Sequence, residues 1–303
     1  MKPLAERLQR ASTQQLRCFE ASARLLSVTG AARELHVTQP TVSVQLRQLA
    51  ELVGEPLFEP HGRRIRLTEA GAALQETVTE VRGCWQRFEA RIGEMHGLMR
   101  GKLRIAGVTT AEYFVPDLLG SFAAAHPGVD IELAVHNRDE VVARLARGAD
   151  DVAVMMLPPQ ELPLHSHPFL PNPLVVVCAS SHPRAGRRCT LASIAGERWL
   201  MREPGSGTRL VAESHFAQEG VQPRVAMSLG SNEAIKHAVR AGLGISVLSQ
   251  LAVEADLASG ALAQIRVQRF PLKRRWHVVW RSDRSLTLAA RTLVQHLRDA
   301  GRG

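Results

Sequence analysis

The four cysteines, Cys18, Cys84, Cys178 and Cys189, form no CxxC pair and have no clustered histidines, which argues against a metal site. Scattered and mostly apolar in their flanks, they suit a reducing cytoplasm, with Cys178 and Cys189 as core or loop thiols rather than a redox pair. The opening MKPLAERLQRAS lacks the apolar centre of a signal peptide. No run is long enough to span a membrane. A soluble cytoplasmic protein is expected. No repeat of fixed period and no low-complexity tract occurs. The histidines His126, His136, His165, His167 and His182 stand mostly beside prolines or in loops, without the spacing of a triad or a metal site. No catalytic residue, metal or cofactor is therefore assigned.

The formal net charge is +9, which favours negatively charged partners. Its distribution does not locate them. Met1 to Arg66 holds ten Lys/Arg against six Asp/Glu, whereas Leu262 to the C-terminus holds ten against two. The second cluster, with Lys273-Arg274-Arg275, reads as a solvated face. Residue pattern must identify any nucleic-acid interface.

That pattern lies in SVTGAARELHVTQPTVSVQLRQLA, Ser27 to Ala50. Ala31, Ala32 and Leu35 give a first short helix its apolar side, and His36-Val37 make a turn. Thr38 stands where an N-cap belongs and Pro40 in the first turn, where its missing N–H does no harm. Val42, Leu46, Leu49 and Val53 recur at helical spacing and share one face of a second helix. Gln39, Pro40, Thr41, Ser43, Val44, Arg47 and Gln48 fall on the other. Hydroxyls, amides and an arginine there suit base edges in a major groove. The spacing alone would equally suit a helical hairpin with a solvated polar face. The neighbouring segment decides between the two: PLFEPHGRRIRLT, Pro56 to Thr68, reads as a small hairpin turning at His61-Gly62 and carrying Arg63, Arg64 and Arg66. A basic hairpin beside a recognition helix is a wing, fit for phosphates or a narrow minor groove. Gln14 to Leu26, with Leu16, Phe19, Ala23 and Leu26 inward, is the helix expected beneath.

From Thr68 a long helix is predicted to about Arg100. Leu74, Val78, Val81, Trp85, Phe88, Ile92, Met95 and Met99 alternate at four and three, a heptad seam for pairing with a second helix. Beyond Gly101 strand and helix signals alternate: LRIAGV, VDIELAV, DVAVMM, LVVVCA, VAMSLG, ISVLS and HVVW as strands, with helices over 113–125, 139–147, 191–195, 208–218 and 232–241. This predicts a mostly parallel sheet covered by helices. Three strand ends run into helix starts that carry hydroxyls: Thr109-Thr110, Ser206 to Thr208 after Gly205, and Ser231-Asn232. Ligands of such folds bind at the carboxyl ends of strands, and helix N-termini favour anions. GSGT is neither a phosphate loop ending in GK[ST] nor GxSxG, so Ser206 is not read as a nucleophile.

The pattern from Gln15 to Gly71, with AA-REL, VTQPTVS, G-PLF and GRR-RLTEAG, resembles the LysR-type bacterial transcriptional regulators. VTTAEYFVPDLL, HNRDEVVARL, REPGSGTR and LGSNEAIKHAVRAGLGISVLS further resemble the CbbR subgroup, which regulates carbon-fixation operons. The likeness implies an α+β multidomain chain. Residues 1–67 would be the winged helix-turn-helix and 68–100 the linker helix. Residues 101–303 would be a two-lobed α/β effector domain like a type 2 periplasmic binding protein, lobe one from 101–170 and 275–303 and lobe two from 171–274. It implies double-stranded DNA as partner through Thr38, Gln39, Pro40, Thr41, Ser43, Val44, Arg47, Arg63 and Arg64. RNA polymerase would be a further partner, and the chain would work as a homodimer or homotetramer. A small anionic metabolite, phosphorylated or NADPH, would sit among Thr109, Thr110, Arg138, Ser206, Thr208, Arg209, Ser231 and Asn232. Two departures from the subgroup stand out: Glu112 replaces an expected basic residue, and Met155-Met156-Leu157 replaces a stretch that often holds Gly or Arg. A LysR-type regulator answering to an aromatic acid or amino acid is the competing expectation.

Overall fold

A computed structural model of the chain describes residues 3–62, 64–95 and 99–301. It forms two compact units, Met1–Trp85 and Gln86–Gly303.

The first unit contains α1 (Leu4–Leu8), α2 (Thr13–Leu25), α3 (Val28–Glu34), α4 (Gln39–Val53), a hairpin of β1 (Phe58–His61) and β2 (Arg64–Leu67), and the start of α5 (Glu69–Met95). Short hydroxyl side chains start its helices. Ser12 and Gln15 form a reciprocal capping box on α2. Ser27 Oγ accepts from Gly30 N at 3.0 Å, Thr38 Oγ1 from Thr41 N at 3.4 Å, and Thr68 Oγ1 from Gly71 N at 3.0 Å. Gly54 closes α4 in the left-handed conformation at φ 89°, which costs glycine little. Val42, Leu46 and Leu49 turn inward onto Phe19, Ala31 and Ala32, as the spacing predicts. Leu26, expected inward, is exposed: it caps α2 with φ 48°, and Cys18 and Ser22 take the interior instead. Helix α1 is an addition to the elements predicted from the sequence. Its Arg7 donates to the Val53 carbonyl at 3.2 Å, satisfying an orphan acceptor at the end of α4.

The expected seam of α5 divides in two. Leu74 and Val78 are buried in the core of their own unit. Val81, Trp85, Phe88 and Ile92 are 38, 66, 58 and 39% exposed, a continuous apolar stripe. The helix is described to Met95 rather than Arg100, the Met95 side chain lies outside the described residues, and Met99 packs on the core of the second unit instead.

The second unit has two sheets. Its elements run β3 (Gly101–Val108), a 3₁₀ turn (Thr109–Tyr113), α6 (Val115–Ala125), β4 (Val129–His136), α7 (Arg138–Ala146), β5 (Val152–Met155) and β6 (Leu164–Pro171). Next come β7 (Leu174–Ala179), β8 (Arg188–Cys189), a second 3₁₀ turn (Ala192–Ile194), β9 (Arg198–Arg202), α8 (Gly207–Gln218) and β10 (Arg224–Leu229). The chain ends with α9 (Asn232–Arg240), β11 (Ser246–Ser249), α10 (Gln250–Ala258), β12 (Leu262–Val267), β13 (Arg275–Arg281) and α11 (Leu288–Ala300). One sheet has the order β4-β3-β5-β13-β6, the other β11-β7-β12-β8, and β9 with β10 joins the β11 side through a parallel Trp199–Ile245 bridge. The chain passes from the first sheet to the second after β6 and back before β13. These crossovers make two lobes. They also make both sheets mixed rather than mostly parallel, since β13 runs antiparallel to β5 and β6, and β7 to β11 and β12. Strand β6, LHSHPFLP, is likewise absent from the strands predicted from the sequence. Its Pro168 and Pro171 are tolerated because it is an edge strand.

Candidate DNA-reading face and effector cleft

On α4 the side opposite Val42, Leu46 and Leu49 carries the expected base readers. Thr38, Gln39, Pro40, Thr41, Val44 and Arg47 are exposed, and Ser43 is half-buried. Two hydrogen bonds order the tip: Gln39 Nε2 donates to Ser43 Oγ at 2.9 Å, and the Thr38 and Thr41 hydroxyls meet at 2.8 Å. Gln48 is drawn back, its Oε1 accepting from Gln15 Nε2 at 3.2 Å, which ties α4 to α2. Arg47 has no ion-pair partner among the described residues. In the wing Arg66 is paired to Glu59 at 2.8 Å, while Arg64 is exposed without such a pair, again among the described residues. Arg63 lies outside the described residues.

In the second unit, β3 and β9 each lead into a turn that carries hydroxyls. Thr109, Thr110 and Arg138 from one lobe and Ser206 and Thr208 from the other line one cavity. Ser206 stands at the N-cap of α8 but makes no capping bond, so its hydroxyl and the first amides of α8 stay available. Gly205 turns the chain at φ 84° and is approached so closely by the Asp139 carboxylate that a Cβ would lie 2.5 Å from Oδ2. Arg138 is held by its Nε donating to Leu157 O at 2.9 Å. Met155, Met156 and Leu157, the departure noted in the sequence, form the apolar side with Trp276. The cavity volume is about 20 Å³, room for roughly one water. A metabolite therefore requires this space to widen.

Three expected residues stand outside the lining. Arg209 turns away, its Nη1 donating to Arg202 O at 2.9 Å and its Nε to Glu213 at 2.7 Å. Ser231 is exposed and serves its own helix, capping α9 through Ala234 N at 3.1 Å. Asn232 is buried one bond behind the cavity, its Nδ2 donating to Thr110 Oγ1 at 3.2 Å. Glu112 is exposed and not in the lining.

The residue that sequence reasoning misses is Arg202, 2% exposed at the end of β9. It donates to Asn232 Oδ1 at 2.6 Å, to Thr109 Oγ1 at 2.8 Å across the lobes, and to both oxygens of Glu203 at 2.8 and 2.9 Å. Burying a guanidinium is costly, and these partners offset that cost. Beside it Tyr113 donates to Glu233 at 2.6 Å, and Lys236 reaches Glu233 and Asp256, each at 2.8 Å. Burial, with the bond to Glu233, pushes the Tyr113 hydroxyl well above its ordinary value. Burial works to raise Glu233, but the bonds from Lys236 and Tyr113 leave it below the usual carboxylate range. The two lobes are thus latched by Arg202–Thr109, Asn232–Thr110 and Tyr113–Glu233.

Among the described residues no group of three His, Cys, Asp or Glu could hold a metal, and no helix is long and apolar enough to cross a membrane.

Residues 13–72 match the bacterial regulatory helix-turn-helix protein, lysR family, and residues 96–302 match the LysR substrate binding domain. The chain is 40% identical over 291 residues to the HTH-type transcriptional activator CmpR of Synechocystis, covering 96% of each chain. It is 41% identical to the RuBisCO operon transcriptional regulator of Acidithiobacillus ferrooxidans, covering 96% of this chain and 94% of that one. With CbbR of Rhodospirillum rubrum the identity is 41%, over 95% and 96%. Among solved structures, the Synechocystis CcmR regulatory domain in complex with 2-phosphoglycolate (2-PG) superposes with a TM-score of 0.64 at 39% identity, covering 67% of this chain and 98% of that one. Full-length CbnR with its target DNA shares the fold over 95% and 99%, with a TM-score of 0.71 at 24% identity. The chain belongs to the LysR family: it is a DNA-binding transcriptional regulator with a small-molecule effector domain, and not an enzyme.

Proposed function

We propose that this regulator controls a carbon-fixation operon of the RuBisCO type and responds to a small phosphorylated anion. The observation that supports it most is the cavity at the uncapped start of α8, where Ser206, Thr208, Thr109, Thr110 and Arg138 converge. Hydroxyls, open amides and a guanidinium suit phosphate oxygens. Relatives about 40% identical over nearly their whole length are named as regulators of the RuBisCO operon, and the CcmR domain was solved with 2-PG.

In this reading residues 1–67 bind DNA, 68–100 pair two chains, and 101–303 bind the effector. Thr38, Gln39, Pro40, Thr41, Ser43, Val44 and Arg47 read bases from α4, and Arg63 and Arg64 hold phosphates from the wing. The stripe from Val81 to Ile92 joins two copies into a homodimer or higher homo-oligomer, so that two half-sites are read together. The effector enters when the lobes part, replaces the Arg202–Thr109 contact with contacts of its own, and shifts the balance of lobe states by its preference for one of them.

Thermal shift with 2-phosphoglycolate, other sugar phosphates, nicotinamide nucleotides, aromatic acids and amino acids tests the effector. Stabilisation by phosphorylated compounds is expected. Stabilisation by an aromatic acid or amino acid alone would replace this reading with the competing effector class.

A further inference from the structure

The effector cavity holds two buried donors that the fold leaves under-used. Trp276, on β13, is 1% exposed and lines the cavity, yet its Nε1–H has no partner among the described residues. An indole N–H can only donate, and leaving its hydrogen bond unmade in a buried place is costly. Its ring is fixed by Phe114, with centroids 4.9 Å apart. The other tryptophan packed as deeply, Trp199, makes its bond, donating to Ile194 O at 3.1 Å. Asn172, also 1% exposed and in the lining, stands at the crossover between the lobes. Its carbonyl is well used, accepting from Ser249 Oγ at 2.7 Å. Among the described residues its side-chain amide donates only to the Met156 thioether at 3.2 Å, a weak acceptor. Buried donors left this way call for an explanation, and both of these residues line the same cavity.

We propose that Trp276 Nε1–H and the Asn172 amide bind a second acceptor group of the effector, apart from the group seated at the start of α8. The effector would then carry acceptor oxygens apart from its phosphate, of the kind a carboxylate supplies. This rests on the phosphorylated-effector reading and adds the residues that would select the second group. Asn172 lies between β6 and β7, so that second contact falls on the segment that joins the two sheets.

The test uses the full chain and two probes: 2-phosphoglycolate, and ethyl phosphate, which keeps the phosphate and lacks the carboxylate. Calorimetric titration of the wild type should show 2-phosphoglycolate binding at least about tenfold more tightly, the worth of a good hydrogen bond to a charged group. Trp276→Phe keeps a ring against Phe114 and removes the donor, and should narrow that gap to about threefold or less. The indole N–H signals of the unmodified protein give a measurement that needs no folded variant. There are four tryptophans, and the Trp276 signal should move downfield with 2-phosphoglycolate and not with ethyl phosphate. Equal affinity of the wild type for both probes, an undiminished gap in Trp276→Phe, or an unmoved Trp276 signal would each overturn the proposal while leaving the phosphate site standing. Binding of neither probe would overturn this proposal, and if sugar phosphates and nicotinamide nucleotides also failed to stabilise the chain, the phosphorylated-effector reading would fall with it.

Discussion

The start of α4 and the start of α8 are built from the same residue types and differ in burial. At α4, Thr38, Gln39, Thr41 and Val44 face outward, and Arg47 has no ion-pair partner among the described residues. At α8, Ser206 and Thr208 are 4% and 6% exposed, and the nearby cations Arg202 and Arg209 are engaged with Glu203 and Glu213. A helix start with hydroxyls is thus no function in itself. An open face with uncommitted charge can meet a rigid polyanion such as duplex DNA, and a walled one with committed charge can hold only a small anion. α5 makes a parallel contrast within one element. Leu74 and Val78 are spent on the core of their own unit, and Val81, Trp85, Phe88 and Ile92 are left exposed, the stripe proposed to meet a second copy.

The contrast within α5 carries the largest expected effect. Changing Phe88 and Ile92 together to Glu should weaken operator binding about 100-fold or more, because two linked half-sites gain by avidity what one cannot. Sedimentation should show smaller species. Retained mass and affinity would erase the distinction between the two halves of the helix.

At the walled site, Ser206→Leu should fill the start of α8. The stabilisation a ligand gives at about 100 times its Kd, roughly 2.7 kcal/mol, should vanish in thermal shift. At the open site Arg47→Ala should cost about 1–3 kcal/mol of discrimination among operator variants in competition binding. Arg64→Ala should weaken all sequences alike and lower the salt slope by about one. If Arg47→Ala and Arg64→Ala behave identically on every sequence, the open face does not divide reading from holding.

The smallest effect concerns the latch. Tyr113→Phe should lower the melting temperature by about 1–6 °C for a lost hydrogen bond in a domain this size. Glu233 is depressed in the folded state, so its contribution is present above the ordinary value of 4.5 and is lost as pH falls through the lower folded value. Tyr113 is raised, so its contribution is present below the ordinary 10.0 and is lost only as pH rises past the folded value. Melting of wild type relative to Tyr113→Phe should therefore differ by a constant amount between these limits and converge in acid.

What could be read from the chain depends on the range of the forces involved. The caps at Thr38 and Thr68 and the inward stripe of α4 are local, and each stands in the structure where the sequence put it, whereas the caps at Ser12 and Ser27 emerge only from the structure. The five-residue α1 has no buried residue and exists by docking on α4, so no periodicity announced it. β6 was hidden by its prolines. In the cleft, five of the eight expected residues share one cavity, because strand ends and helix starts are marked by glycines and hydroxyls. Which arginine is buried was not legible. Arg202 and Arg209 are seven residues apart, each near a glutamate. Only the pairing of β9 with β10 and the approach of Thr109 from the other lobe put one inside and the other out.

We propose further that the shift in lobe state caused by an anion in the cleft alters how the winged domains hold DNA. Footprinting on the operator of the regulated genes, with and without 2-phosphoglycolate, tests it directly in wild type and Ser206→Leu. The wild-type footprint should change in length or in its pattern of bending-sensitive cleavage when the ligand is added, and the Ser206→Leu footprint should not respond. An unchanged wild-type footprint at saturating ligand, or an equal change in both proteins, would contradict the account.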